Sequence, residues 1–180
     1  MLLEDQGDDP VVKYTPPGIN EGECHFVRRL RACAESEQGQ ALLDENDLEL
    51  FLLRNQSRGR GVGFLIDGER YFPDFILWVK GRAGQDIVFI DPHGLITGGD
   101  LDVNPKVLFR DTIKDYEQKL NDRAGRDDVA LHSYIISQTP FDELSKQARL
   151  KSRDEFHQRH IYFRGGDNYP LLLIEDVLGV

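Results

Sequence analysis

The sequence predicts an α/β domain in which a central mixed β-sheet is flanked by helices. Three observations lead there. Apolar residues recur at helical spacing near the start (Phe26, Val27, Leu30, Cys33) and again at Phe109, Ile113, Tyr116 and Leu120. A strong β pattern runs through residues 71–79, turns at Gly81-Arg82-Ala83-Gly84 and returns through residues 86–91. A further apolar strand follows the second helix at residues 129–137. Helix, strands, helix, strand, helix is the order of a sheet covered by helices.

Residues 1–19 are rich in Asp, Pro and Gly and end near Pro16-Pro17-Gly18, so they are expected to be a flexible tail or linker. The domain then spans residues 20–180. Asn20 is a good N-cap, and Glu23 stands at the third helical position. That first helix is expected to end near Gly39. Residues 48–53 form a compact apolar strand, followed by the polar loop Asn55-Gln56-Ser57-Arg58-Gly59-Arg60-Gly61. Residues 62–66 are a second strand, turned at Asp67-Gly68. After the hairpin, Pro92-His93-Gly94 stops the return strand. The second helix covers about residues 105–120. Residues 152–160 read as a short polar helix, 161–163 as an edge strand, and 171–178 as a last helix or strand.

The chain has 180 residues, 39% hydrophobic and 30% charged, a balance that supports a sizeable core. No run approaches the roughly 18 apolar residues of a membrane span, so no membrane partner is expected. The first residues, Met1-Leu2-Leu3-Glu4-Asp5, carry neither a basic region nor a long apolar stretch, and no secretory signal is expected. Cys24 and Cys33 are the only cysteines and lack metal-like spacing, which fits a reducing cytoplasm. The net charge of −10 is unusual for a protein that grips nucleic acid alone. Basic residues gather only locally, at Arg28-Arg29-Leu30-Arg31 and at Arg54, Arg58 and Arg60. No G-x-x-x-x-G-K-[ST] loop is present, so this chain alone is no NTPase.

The hairpin carries the chemistry. If Gly81 to Gly84 form the turn, Lys80 faces Gln85, and counting back pair by pair brings Asp74 opposite Asp91. The two would share one face of the sheet with Cα atoms roughly 4.5–5.5 Å apart. Like charges so placed among apolar residues repel unless a cation lies between them, and a divalent cation with oxygen ligands does this. Each aspartate alone is also explained as a strand-ending turn residue. Glu23 shares a helix face with Val27 and Leu30 and so turns toward the core, yet it equally completes a capping box with Asn20.

Pro73-Asp74 followed by Ile90-Asp91-Pro92-His93 resembles the PD-(D/E)xK motif of restriction-endonuclease-like nucleases. Asn20 to Glu23, Leu53-Arg54-Asn55, residues 71–75, residues 89–95, Ile136 to Pro140 and His160 to Phe163 are similar to the C-terminal nuclease domain of type III restriction-like DEAD/DEAH helicase proteins. The resemblance covers most of residues 20–178. It implies a restriction-endonuclease-like fold and metal-dependent hydrolysis of DNA. Asp74 and Asp91 would be metal ligands, supported by Glu23, with Mg²⁺ or Mn²⁺ as cofactor. It further implies a helicase motor elsewhere in a larger protein, which would hold the DNA, with Arg54, Arg58 and Arg60 adding phosphate contacts. The family's lysine is replaced by His93. Histidine can act as a base near neutral pH, could join the metal shell, or could mark a decayed nuclease fold that serves as a DNA-binding or interaction module. His157 and His160, Ser57, Ser133 and the Gly59-Arg-Gly61-Val-Gly63 run carry no comparable pattern.

Overall fold

The computed structural model describes residues 18–56, 60–66, 68–92, 100–150, 152–165 and 168–180. Within them the protein is α/β, with a five-stranded sheet in the order β1-β4-β5-β6-β7 and a separate β2-β3 hairpin. The strands are β1 (Glu49–Arg54), β2 (Phe64–Ile66), β3 (Glu69–Tyr71), β4 (Phe75–Lys80), β5 (Gln85–Asp91), β6 (Val129–Ser137) and β7 (Ile161–Phe163). The helices are α1 (Glu21–Ala34), α2 (Glu37–Glu45), α3 (Pro105–Ala124), α4 (Phe141–Ala148), α5 (Arg153–His157) and α6 (Tyr169–Leu178). β1, β4 and β5 pair antiparallel, whereas β5, β6 and β7 run parallel. The sheet is therefore mixed, as expected. No described helix is long and apolar enough to cross a membrane.

Alternation along the strands sorts the side chains into two layers. One face presents Leu77, Val79, Val88, Ile90, Tyr134 and Ile136 to α1 and α6, through Phe26, Leu30, Leu173 and Val177. The other face presents Ile76, Phe89 and Leu131 to Phe109 and Ile113 of α3. Farther along that second face, Ile135, Ile161 and Phe163 pack with Leu144 of α4 and Phe156 of α5.

Two expectations are corrected, and one element is added. The first helix does not reach Gly39. It stops at Ala34, and Ser36 starts α2 by accepting a hydrogen bond from Gly39 N at 3.0 Å while donating to Cys33 O at 2.7 Å. The two helices come so close there that a Cβ at Gly39 would run into the Cys33 carbonyl. The β pattern of residues 71–79 is also two strands, since Phe72 to Asp74 break it and Tyr71 ends β3. Thirdly, α4 was not foreseen at all. The last element is a helix, which settles the open choice at residues 171–178, and α3 runs on to Gly125, whose φ of 61° caps it. Of the expected tail, residues 1–17 lie outside the described residues, but Ile19 is buried. Cys24 and Cys33 are both buried and form no disulfide.

His160 lies in the turn between α5 and β7, with a φ of 57°. Its ring stacks on Tyr134 at 4.4 Å, and its Nδ1 donates to Ser133 O at 3.0 Å. His157 stacks instead on Tyr162, so the two histidines do not form a pair. Burial above all, helped by Arg110 and His132, holds the His160 imidazole below its ordinary pKa, against the opposite pull of Ser133 O and Asp176. A base kept neutral by the fold contributes its full stability above the unfolded pKa of about 6.5 and loses it as pH falls below that. Denaturant unfolding should therefore give a lower stability at about pH 5.5 than at about pH 7.5. His160→Asn, which tolerates the left-handed backbone, should lose less on acidification; an equal loss in both proteins would refute the assignment.

Candidate active site

β4 and β5 pair from Phe75↔Ile90 to Lys80↔Gln85, the register read from the sequence. Asp74 directly precedes β4, and one further step of that register would set it opposite Asp91, the last residue of β5. Asp91 also pairs with Ile135 of parallel β6. It lies two residues beyond Phe89, hence on the α3 side of the sheet. Asp91 is buried and Asp74 half-buried. The Tyr71 hydroxyl responds to both: burial first, then Asp91 and Asp74, push its pKa well above the ordinary value.

The backbone around the pair is held by side-chain amides. Asn55 Nδ2 donates to Pro73 O at 2.7 Å and to Val62 O at 2.8 Å, while its Oδ1 accepts from Val62 N at 2.9 Å. Asn55 N also donates to Asp74 O at 2.7 Å, so the residue following β1 fixes the segment that carries Asp74. On the other side, Gln138 Nε2 donates to Pro92 O at 2.5 Å, just past Asp91. Gln138 in turn accepts from Arg164, whose guanidinium also bonds Glu21 of α1 at 2.6 Å. This chain of contacts ties α1 and the ends of β6 and β7 to the end of β5.

A cation reaches the site from α3. Lys106 Nζ lies 2.6 Å from Asp91 Oδ2 and 5.5 Å from the centre of the Tyr71 ring. Asn104 caps α3 and Pro105 opens it, which places Lys106 in the first turn beside the mouth of β5. The lysine side chain is 44% exposed and the aspartate 5%, so the pair bridges solvent and core.

The remaining expected site residues are distributed differently. Glu23 is buried on α1, where its carboxylate accepts from Asn20 N at 3.2 Å and pairs with Arg54 at 2.9 Å. Both of its sequence readings thus hold in part: the capping box is formed, and the side chain does turn inward. α1 packs on the sheet face opposite α3, so Glu23 is not gathered with Asp74 and Asp91. Arg54 is engaged with Glu23 and with Gly18 O at 3.3 Å rather than directed outward. Arg60 is exposed; Arg58 and His93 lie outside the described residues.

Among the described residues, no group of three or more His, Cys, Asp or Glu side chains is arranged to hold a metal ion. The donor set here is two hard carboxylates, one with an oxygen already bonded to Lys106. Such a set fits a Mg²⁺ or Mn²⁺ ion that keeps water and shares substrate oxygens, not one caged by protein. The buried Tyr71 hydroxyl, which finds no hydrogen-bond partner among the described residues, agrees with this fit. An unmatched hydroxyl is costly inside a protein, and beside two carboxylates it can donate to a bound water or phosphate.

Comparison with known proteins found no matching family model and no matching curated protein. Sequence reasoning assigned no role to Lys106, Tyr71, Asn55 or Gln138, although the last three lie in stretches that carry the resemblance. Asn55 carried a faint signal, as an Asn that ends a strand beside a Gly-rich loop. Lys106 carried none, because nothing in a helix's first turn tells which strand end it faces.

Proposed function

We propose that this chain is a divalent-metal-dependent nuclease domain of restriction-endonuclease-like architecture that hydrolyses DNA phosphodiesters. The observation that supports it most is the β4–β5 register, whose last pair, Phe75↔Ile90, brings Asp74 and Asp91 to adjoining positions at the end of the sheet. Asp74 and Asp91 would hold Mg²⁺ or Mn²⁺, which when bound offsets phosphate charge and makes a water more acidic. The protein's own part is preorganisation. Asn55 fixes the backbone at Asp74, Gln138 fixes it beyond Asp91, and Tyr71 keeps a protonated hydroxyl near both carboxylates. DNA as substrate, and a helicase region of a larger protein as partner, rest on the resemblance of residues 20–178. A motor that grips the DNA accounts for a nuclease domain of net charge −10.

One observation favours a second reading. The Lys106–Asp91 pair already neutralises the buried carboxylate, as a decayed nuclease fold kept as a binding module would require. Metal binding separates the two. Titration calorimetry with Mn²⁺ should show binding by the wild-type chain and a loss of about tenfold or more in affinity for Asp74→Ala. Nicking of supercoiled plasmid should need Mg²⁺ or Mn²⁺. Absence of both binding and nicking would favour the decayed module.

A further inference from the structure

We propose that Lys106 is a catalytic residue of this site, supplying from α3 the ammonium group that position 93 lacks; this rests on the nuclease reading above. Position 93 carries histidine, and the resemblance led to a lysine being expected on the strand itself. The structure delivers a lysine to the same carboxylate by another route. Lys106 Nζ sits 2.6 Å from Asp91 Oδ2, held over the Tyr71 ring.

Its surroundings suit a role toward substrate. An ammonium has three donors, so it can hold Asp91 and still reach a phosphate oxygen. The Asp91 end of the pair is buried and the Lys106 end is 44% exposed, so the cation is open to solvent, where a phosphate can meet it. Several described arginines are engaged with other groups: Arg54 with Glu23, Arg164 with Glu21 and Gln138, Arg110 with Gln158 O, and Arg159 with Asp102.

In hydrolysis the oxygen of one water bonds to phosphorus, and the bond from phosphorus to the leaving sugar oxygen breaks, its electron pair staying on that oxygen. The water's proton passes to solvent, and the leaving oxygen takes a proton from solvent. Lys106 stays an ammonium throughout. It donates to a non-bridging phosphate oxygen, where negative charge grows.

The competing role is a static ion pair that only steadies Asp91. The test uses the 180-residue chain as wild type, Lys106→Met and Lys106→Arg. Plasmid nicking, Mn²⁺ affinity by calorimetry and thermal unfolding are followed together. Lys106→Met should lower nicking on the order of 10²–10³-fold while Mn²⁺ binds as tightly or more tightly, since the ammonium competes with metal for Asp91. Lys106→Arg keeps a cation there and should recover part of the rate. Undiminished nicking by Lys106→Met overturns the proposal. Loss of Mn²⁺ affinity together with nicking overturns it as well, because it reduces Lys106 to a support for Asp91. Should Lys106→Met not fold, Lys106→Gln, whose amide still donates to Asp91, decides by the same readouts. A wild-type chain that neither binds Mn²⁺ nor nicks sinks the nuclease reading and this proposal with it, whereas one that binds Mn²⁺ without nicking, or that nicks beside an unaffected Lys106 variant, sinks this proposal alone.

Discussion

Asp91→Ala is expected to abolish metal-dependent nicking, with a loss of about 10³-fold or more, while the protein stays folded. The charge left behind decides the second part. Removing Asp91 strands Lys106, whose side chain is 44% exposed and can turn to water. Ion pairs with such an exposed end contribute little, so unfolding should shift only modestly. The reverse change leaves a carboxylate that is 5% exposed without its lysine, and uncompensated buried charge is the costly case. Thermal unfolding should thus rank Lys106→Met as less stable than Asp91→Asn, which keeps the volume and can still accept from Lys106. Nicking by purified Asp91→Ala at the wild-type rate would mean that the phosphodiesterase site lies elsewhere on the molecule. If the variant unfolds, its loss of activity says nothing about metal, and Asp91→Asn becomes the deciding protein.

The register of this site was legible because it depends on local chemistry alone. A short Gly-flanked turn sets Lys80 against Gln85, and that pairing runs down to Phe75 and Ile90, next to Asp74 and Asp91. The sheet class was legible for a similar reason, since each long element announced its own period. What failed was continuity. Apart from Pro73 and Asp74, residues 71–79 are apolar or aromatic, so only those two marked the break between β3 and β4. The kink between α1 and α2 depends on Ser36 folding back onto Cys33 O and Gly39 N, a contact that helical spacing does not reveal. Glu23 shows a different limit. Sequence offered it as cap and as inward-facing acid, and both are true, yet its inward partner is Arg54. Which face of the sheet a helix covers is set by packing, and packing also decides that Lys106 meets Asp91.

The same layer predicts the largest stability effect. Phe109 of α3 is fully buried, with ring centres 4.6 Å from Phe64, 5.4 Å from Tyr71 and 6.4 Å from Tyr116. It joins the β2-β3 hairpin to the α3 face of the sheet, and the neighbouring aromatics meet it at steep angles that cannot simply slide inward. Phe109→Ala should therefore leave a cavity and cost about 3–5 kcal/mol. Phe51 of β1 is 52% exposed, and Phe51→Ala should cost no more than about 0.5 kcal/mol. Denaturant unfolding of the two variants against wild type measures the difference directly. The cavity should also reach function. The Tyr71 ring lies against Phe109 and also beneath Lys106, so emptying the Phe109 site loosens the surface on which the lysine rests. Nicking by Phe109→Ala, measured well below its unfolding temperature, should fall while Mn²⁺ affinity through Asp74 and Asp91 changes less. A variant that is destabilised as expected but nicks like wild type would show that α3 positions Lys106 through its own first turn and not through the aromatic layer beneath it.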